Sequence, residues 1–326
     1  MNKEYPRIVF LGTPEFAVES LDAIVSGGYN VVGVVTMPDK PAGRGHHLYQ
    51  SPVKEYAVAH NIPVLQPVKL KDPEFVEALR ALRADLFIVI AFRMLPEVVW
   101  TMPPLGTFNL HASLLPRYRG AAPINRAVMN GETETGVTTF MLRHEIDTGD
   151  VLAQEKIEIG PDENVGSVHD RLMHIGARLV IRTIDDIIAG TLRPLPQDKM
   201  ITDMGQEPTP APKIFKDDCR IDWTRTAREV HNHVRGLSPY PAAWCVIKGD
   251  NTPPTELKVM ATQLSSGANF GEPGSVSIED GHLLVACGDG AVEITQLRPA
   301  GKKLMDAASY LRGARLVNPR MIQPEL

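Results

Sequence analysis

The sequence predicts an α/β protein of two domains, a mainly parallel sheet covered by helices and then a small β-barrel. Apolar strand-like runs alternate with amphipathic helices through the first 190 residues. This alternation is typical of a Rossmann-like sheet with helices on both faces. A proline-rich stretch then leads into a series of short strand-like runs. We therefore expect domains at residues 1–190 and 213–326, joined by a linker at residues 191–212.

The first strand and helix illustrate the pattern. An apolar strand over residues 7–11 runs into a turn, where Thr13 is expected to cap a helix and Pro14 to occupy its first position. Apolar residues then recur at helical spacing until Gly27 and Gly28 end the helix. The later elements are expected as strands over 31–36, 86–91, 108–111, 137–141 and 151–157 and helices near 53–60, 74–82, 123–129 and 165–179. A late strand of this sheet is expected to run antiparallel.

The last third of the chain has a different pattern. The linker is rich in proline and has almost no apolar periodicity, which is typical of a semi-extended connection. Beyond it, Gly and Pro turns separate short β-rich runs, and this punctuation favours a small barrel. We expect one helix over 227–234 and strands over 243–247, 257–261, 275–278, 283–286 and 292–297.

Composition describes an ordinary globular protein, with 43% hydrophobic and 22% charged residues. The three cysteines have no metal-ligand spacing, so we expect reduced thiols and a reducing compartment such as the cytoplasm. The first residues contain no apolar run long enough for a signal peptide or a membrane span. No metal site is expected, because the paired histidines of the chain would point apart on regular structure.

The segment around residues 108–116 carries the strongest chemical signal. An apolar strand ends there at a polar turn, and the alternation of side chains places Asn109 and His111 on one face. An amide donor beside a titratable imidazole suits attack on a carbonyl, where negative charge develops on oxygen and protons must move. Each residue alone could equally close a turn or cap a loop.

A carboxylate further along the chain strengthens this interpretation. Asp147 lies in an Asp-Thr-Gly turn between two strand-like runs and could orient the imidazole or hold a proton-carrying water. Asp150 is a nearby competitor, and the turn could be purely structural, since Asp and Gly form good turns in any protein. Composition alone does not choose between the two carboxylates.

Longer blocks of sequence resemble the 10-formyltetrahydrofolate-dependent formyltransferases. The resemblance is carried by FNLHASLLPRYRGAAPINRAV, by EIDTGDVLAQ, and further by RIVFLGTPEFAVESLDAIV, PDKPAGRGHHLYQSPVKEYA, RIDW and LRPAGKKLM. It extends over about residues 7–315, and the Pro-Ala-Gly-Arg-Gly loop with the C-terminal extension favours the tRNA-directed members. The resemblance implies an OB-like barrel for the C-terminal domain, 10-formyltetrahydrofolate as formyl donor and methionyl-initiator-tRNA as acceptor.

The family resemblance also implies roles for individual residues. Asn109 and His111 would stabilise the oxyanion, His111 would protonate the folate leaving nitrogen, and Asp147 would orient His111. The folate site would be lined by Ser113, Leu114, Leu115 and Pro116, with the Leu115–Pro116 bond expected to be cis. The acceptor would be contacted by Gly12, Thr13 and Phe16 at the aminoacyl group and by Arg44 at the acceptor end. Apart from the resemblance, the positive segment that contains Lys302 and Lys303 could hold tRNA phosphates or could simply be a solvated surface.

Three features of the chain depart from the simplest form of this interpretation. The net charge of −5 does not indicate a nucleic-acid binder, so tRNA binding would depend on local basic segments. The segment 91–96 is one residue shorter than the family pattern and has Arg93 where a glycine is expected, and His46-His47 follow Arg44-Gly45 where many relatives have lysines.

Three alternatives are considered. A nicotinamide enzyme is disfavoured because the first turn lacks the G-x-G-x-x-G fingerprint. Formyltransferases that act on a small amine would share the three polar residues but would not need Arg44. A catalytically silent tRNA-binding protein would not need Asn109, His111 and Asp147. We expect a monomer.

Overall fold

The computed structural model describes residues 3–42, 47–205, 207–265 and 270–322. The chain forms two compact units, each assembled from three segments. The first unit comprises residues 1–121, 135–157 and 169–211, and the second comprises residues 122–134, 158–168 and 212–326. None of the helices in the described ranges is long and apolar enough to cross a membrane.

Strands and helices alternate through residues 3–211, as the sequence predicts. The strands are β1 (Lys3–Gly12), β2 (Tyr29–Val35), β3 (Lys40–Ala42), β4 (His47–Tyr49), β5 (Val64–Leu65), β6 (Leu86–Ile90), β7 (Thr107–His111), β8 (Arg117–Gly120), β9 (Glu134–Met141), β10 (Val151–Glu158) and β11 (Thr209–Ala211). The helices are α1 (Glu15–Ser26), α2 (Pro52–Ala59), α3 (Pro73–Ala81), α4 (Glu97–Trp100), α5 (Pro123–Met129), α6 (Val165–Ala189) and α7 (Gln197–Met204).

The first unit is built on a seven-stranded sheet in the order β10-β9-β7-β6-β1-β2-β5. Strands β7, β6, β1, β2 and β5 run parallel, whereas β9 runs antiparallel to β7. This confirms the mainly parallel sheet with an antiparallel late strand. The register aligns Gly12 with Ile90 and Ile90 with Leu110, so the carboxyl ends of the three central strands meet at one edge.

Helices cover both faces of this sheet because the central strands are apolar on both sides. On one face, Val9 and Phe87 join a buried cluster with Phe75 and Leu79 of α3. On the other face α6 approaches β7 so closely that a Cβ on Gly176 would lie 2.8 Å from the side chain of Leu110. Continuous apolar runs, rather than alternating ones, are typical of strands in such a doubly covered sheet.

Two local features differ from the sequence-based expectation. Pro14, not Thr13, is the N-cap of α1, and the cap makes no side-chain hydrogen bond. The Thr13 hydroxyl is instead buried without a hydrogen-bond partner within the described residues. The segment 191–212 contains α7 and β11, and it is anchored because Met200 packs with Leu115, Phe140 and Val151 in a buried cluster.

The second unit contains an antiparallel barrel. Its elements beyond residue 212 are a 3-10 turn (Asp217–Cys219), α8 (Ala227–Leu237), β12 (Ala243–Lys248), β13 (Thr255–Ser265), β14 (Val276–Glu279), β15 (His282–Ala286), β16 (Ala291–Pro299), β17 (Met305–Asp306), α9 (Ala307–Ala314) and β18 (Arg320–Ile322). The strand order is β14-β15-β16-β13-β12-β18, with β17 on β16. An isolated bridge between Ser275 and Arg320 joins the two edges. The structure thus confirms the small C-terminal barrel.

Helix α8 is held at its start by a reciprocal cap between Thr226 and Glu229, an arrangement that satisfies two otherwise unpaired backbone N–H groups. Its apolar side places Val230, Val234 and Leu237 in the core of the barrel unit.

Candidate active site

Strand β7 carries Asn109 and His111 to the carboxyl edge of the parallel strands, where ligands bind in open α/β sheets. Asn109 is partly exposed, and its carboxamide has no hydrogen-bond partner among the residues that the structure describes. His111 is 8% exposed. The two side chains share a face of the strand, as period-two alternation requires, and the unpaired amide is available to a ligand.

The protonation pattern of His111 follows from its contacts. Its Nε2 lies 2.8 Å from the backbone carbonyl oxygen of Tyr118. A carbonyl oxygen can only accept, so Nε2 carries a proton and donates this hydrogen bond. In the neutral ring Nδ1 therefore has the free lone pair, and proton exchange with a substrate would run through Nδ1. The edge-on ring of Phe140, with centroids 6.4 Å apart, packs against the imidazole.

Asp147 is the carboxylate that faces this nitrogen. Its Oδ2 lies 3.9 Å from His111 Nδ1 and accepts a hydrogen bond of 2.9 Å from the Gly120 N–H. Asp150, the competing candidate, pairs instead with Arg143 at 2.8 Å. At 3.9 Å the Asp147 carboxylate and the His111 imidazole are too far apart for a hydrogen bond, but they form an ion pair when the ring is protonated. Catalytic contacts of this kind often shorten when substrate binds.

The turn after β7 is held from within by Thr138 of β9. The Thr138 hydroxyl donates to the Ser113 carbonyl at 2.6 Å and accepts from the Leu115 N–H at 3.1 Å and from Gln154 Nε2 at 2.9 Å. The hydroxyl of Ser113 donates to the Arg117 carbonyl at 2.7 Å. The polar groups of the turn that form these hydrogen bonds therefore point into the protein.

The residues of the predicted folate site differ in burial. Ser113 and Leu115 have no exposed surface and Pro116 is buried, so these three residues support the turn, and their contact with the folate stays a prediction. Leu114 alone keeps a partly exposed side chain, which lies over Gly136. The Leu115–Pro116 peptide bond is cis, as expected.

The predicted aminoacyl residues lie at the end of β1. Gly12 is required by close packing, since a Cβ there would lie 2.8 Å from both the Ala17 Cβ and the Phe10 ring. Phe16 is 7% exposed and its ring lies 5.1 Å from that of His169. By strand register, Gly12 lies two strands from Leu110, about 10 Å away at ordinary strand spacing.

The remaining predicted contacts lie elsewhere. Lys302 and Lys303 are exposed in the turn between β16 and β17 of the second unit. Arg44 lies outside the described residues, so its predicted tRNA contact stays a prediction. Within the described ranges no group of three or more His, Cys, Asp or Glu residues is arranged to hold a metal ion.

Arg93, at the position where the resemblance led us to expect a glycine, contacts a neighbouring loop. Its guanidinium donates to the carbonyl of Val68 at 2.8 Å and to that of Pro67, and it lies 5.6 Å from the centre of the Phe92 ring. Burial lowers the pKa of Arg93. The shortened segment is thus tied to a neighbouring loop by a charged side chain.

Sequence reasoning missed Thr138, Gln154, Arg119 and Gln197, which hold the turns around the three polar residues. No motif or periodicity marks them, because each acts on backbone groups far away in sequence. Thr138 alone had a signal, since it lies on a predicted strand next to the motif strand.

These features define the class of the protein. Residues 6–184 match the formyl transferase family, and residues 213–315 match the formyl transferase C-terminal domain. The chain belongs to the formyl transferase family, which confirms the resemblance drawn from the motifs. It is 56% identical over 318 residues to the methionyl-tRNA formyltransferase of Bacteroides fragilis, with 97% of each chain covered.

Solved structures share the fold. An N-formyltransferase from Helicobacter canadensis, in complex with folinic acid and dTDP-3-aminofucose, superposes with a TM-score of 0.64 at 20% identity, covering 90% of this chain and 99% of that chain. HypX from Aquifex aeolicus, in complex with tetrahydrofolic acid, superposes with a TM-score of 0.62 at 20% identity over 94% of this chain. The chain spans about half the length of HypX, 46%.

Proposed function

We propose that the protein transfers the formyl group of 10-formyltetrahydrofolate to the α-amino group of methionyl-initiator-tRNA, giving N-formylmethionyl-tRNA for translation initiation. The observation that carries this proposal is the 56% identity, over nearly the whole of both chains, to a protein named methionyl-tRNA formyltransferase. The presence of an amide, an imidazole and a carboxylate at one sheet edge gives that likeness a chemical basis.

The reaction needs a nucleophilic amine and a stabilised oxyanion. A free α-amino group has a pKa of about 7.7 to 8.0, and the adjacent ester of an aminoacyl-tRNA lowers it, so the amine is neutral enough to attack without a covalent enzyme intermediate. We assign Asn109 as the donor to the oxygen of the tetrahedral intermediate. Its carboxamide has no partner within the described part of the chain, and a donor of this kind contributes about 3 to 4 kcal/mol to the transition state.

His111 and Asp147 supply the proton transfers. Because His111 Nε2 is engaged with the Tyr118 carbonyl, we assign Nδ1 as the atom that returns a proton to the folate leaving nitrogen. Asp147, 3.9 Å from Nδ1, stabilises the protonated ring and, through water, helps to remove the proton from the attacking amine. The Gly120 N–H holds the carboxylate in place for both tasks.

The two substrates would approach from different sides of the trio. Ser113, Leu114, Leu115 and Pro116 would line the folate site, partly through backbone groups, with Leu114 offering a partly exposed side chain. Gly12, Thr13 and Phe16 would border the methionyl group. For the tRNA we assign Arg44 to the acceptor end and the exposed pair Lys302 and Lys303 to phosphates, which such residues bind without reading sequence.

We further propose that residues 1–190 form the catalytic domain, residues 191–212 the connection and residues 213–326 the tRNA-binding domain, and that the protein acts as a cytoplasmic monomer. All three cysteines are free and buried, which suits a reducing compartment. Burial raises the pKa of Cys245 to about 12 and that of Cys287 to about 11, so both thiols are unreactive at neutral pH. Light scattering at working concentrations would test the oligomeric state.

A substrate panel tests the function directly. The protein is incubated with 10-formyltetrahydrofolate and, in separate reactions, with methionyl-initiator-tRNA, methionyl-elongator-tRNA, glycinamide ribonucleotide or an amino-sugar nucleotide. We expect formylation of the initiator tRNA at least tenfold faster than of the elongator tRNA and none of the small amines. Preferred formylation of a small amine would replace the proposed acceptor, and folate-independent tRNA binding without turnover would refute an enzymatic role.

A further inference from the structure

We infer that Gln197 is a positioning residue that keeps the turn of residues 147–150 in the conformation needed for catalysis. The inference rests on the proposed function, since it assigns a task to a residue that acts through Asp147. Gln197 is the first residue of α7 and is 2% exposed, in a segment whose composition suggests only a linker.

The side-chain amide of Gln197 bridges two backbone carbonyls of this turn. Its Nε2 donates to the Asp147 carbonyl at 2.9 Å and to the Gly149 carbonyl at 2.8 Å. Both amide hydrogens are therefore used, and both carbonyls are satisfied away from water. One side chain thus fixes the spacing between residues 147 and 149, and with it the direction in which the Asp147 carboxylate leaves the backbone.

The orientation of the amide is set by Arg119. Its Nε and Nη2 donate to Gln197 Oε1 at 3.0 Å and 2.6 Å. A guanidinium can only donate, so the oxygen of the amide must face Arg119 and the NH₂ group must face the two carbonyls. Arg119 directly precedes Gly120, whose N–H holds the Asp147 carboxylate. Strand β8 therefore holds the carboxylate through Gly120 and the backbone carbonyl of Asp147 through Arg119 and Gln197.

The turn needs this brace because its backbone is strained. Asp147 has φ +56°, in the left-handed region that non-glycine residues rarely occupy and that costs about 1 to 3 kcal/mol. Gly149 is wedged against β9, since a Cβ there would lie 1.6 Å from the Met141 carbonyl oxygen. Helix α7 can hold Gln197 in place because Met200, one turn further along, is buried in the cluster with Leu115 and Phe140.

Replacing Gln197 with glutamate tests the inference with little change in size. The carboxylate has no hydrogens to donate, so it keeps its attraction for Arg119 but loses both bonds to the turn and repels the two carbonyls. We expect kcat to fall by about 10- to 100-fold, the scale of a small misplacement of a reacting group, with the KM for 10-formyltetrahydrofolate changed by less than about threefold.

Two variants on the same helix serve as controls. Lys199→Ala removes an exposed side chain and should leave kcat and melting temperature at the wild-type values. Met200→Ala removes the packing that holds α7, so it should lower both the melting temperature and, through Gln197, kcat. If Q197E does not fold, Arg119→Lys removes the forked donors that orient the amide and should give an intermediate loss of kcat.

Coupling to Asp147 separates positioning from a merely structural role. In a double-mutant cycle, Gln197→Glu should reduce the single-turnover rate of an Asp147→Asn enzyme by less than about threefold, because the carboxylate it positions is already absent. Equal losses in both backgrounds, or an unchanged kcat in Q197E, would overturn the inference while leaving the proposed function intact. A wild-type protein that formylates no amine would overturn the proposed function and this inference together.

Discussion

Replacement of Thr138 by valine is expected to destabilise the unit that carries the candidate active site by about 3 kcal/mol. Valine keeps the shape of the side chain but removes the hydroxyl. The Ser113 carbonyl and the Leu115 N–H, both fully buried, then lose the partner shown by the bonds of 2.6 Å and 3.1 Å. A buried group left without a partner costs about 1 to 3 kcal/mol, and two such groups give the expected sum. Gln154 keeps its bond to the Leu115 carbonyl and adds less to the loss.

The measurement is calorimetric unfolding together with the formylation rate. For a unit of this size 1 kcal/mol lowers the melting temperature by about 2 to 4 °C, so Thr138→Val should melt about 6 to 12 °C lower. Thr138→Ser is the matched control, because it keeps the hydroxyl and loses one methyl group at a cost of about 0.5 to 1.5 kcal/mol. The serine variant should also keep more activity than the valine variant. If the two variants are equally stable, the hydroxyl does not hold the turn and the reasoning is wrong.

The other predictions concern chemistry, recognition and pH. Asn109→Ala should lower kcat by about 10² to 10³-fold with an unchanged melting temperature, since the lost donor acts on the oxyanion. Asp147→Asn should lower kcat by a factor of about 10² or more in single-turnover assays, because it removes the charge that faces the imidazole, and near-normal turnover would cancel that role. Arg44→Leu should reduce discrimination between initiator and elongator tRNAs more than it changes the KM for the folate. Burial lowers the pKa of His231 and of His233, so below about pH 6.5 the unfolded chain takes up more protons and the melting temperature should fall, less steeply in a double glutamine variant.

Much of the fold follows from local patterns. The continuous apolar run at residues 86–90 and the helix over residues 123–129 match the expected bounds closely. Burial of a periodic apolar face decides such elements wherever they lie, so the period alone reveals them. The N-cap of α1 is a case in which the local capping rule did not predict the structure. Thr13 has the chemistry of a good N-cap, yet its hydroxyl is buried at the sheet edge and Pro14 occupies the cap.

The linker, residues 191–212, shows a larger limit of prediction from sequence. Its prolines and polar residues gave no helical period, but a single apolar side chain, Met200, is enough to anchor α7 once the cluster of Leu115 and Phe140 exists to receive it. One contact of this kind leaves no repeat in the sequence. The helix and the task of Gln197 therefore emerge only from packing between distant segments.

The sequence by itself determined that Asn109 and His111 share one face of a strand, because alternation is a property of the extended backbone and needs no partner. Only the tertiary structure decided that Asp147 rather than Asp150 faces the imidazole, that Nδ1 is the nitrogen left for chemistry, and that Ser113 and Leu115 are hidden. Those outcomes depend on distances between segments dozens of residues apart, and such distances are set by strand register and close packing rather than by the order of residues.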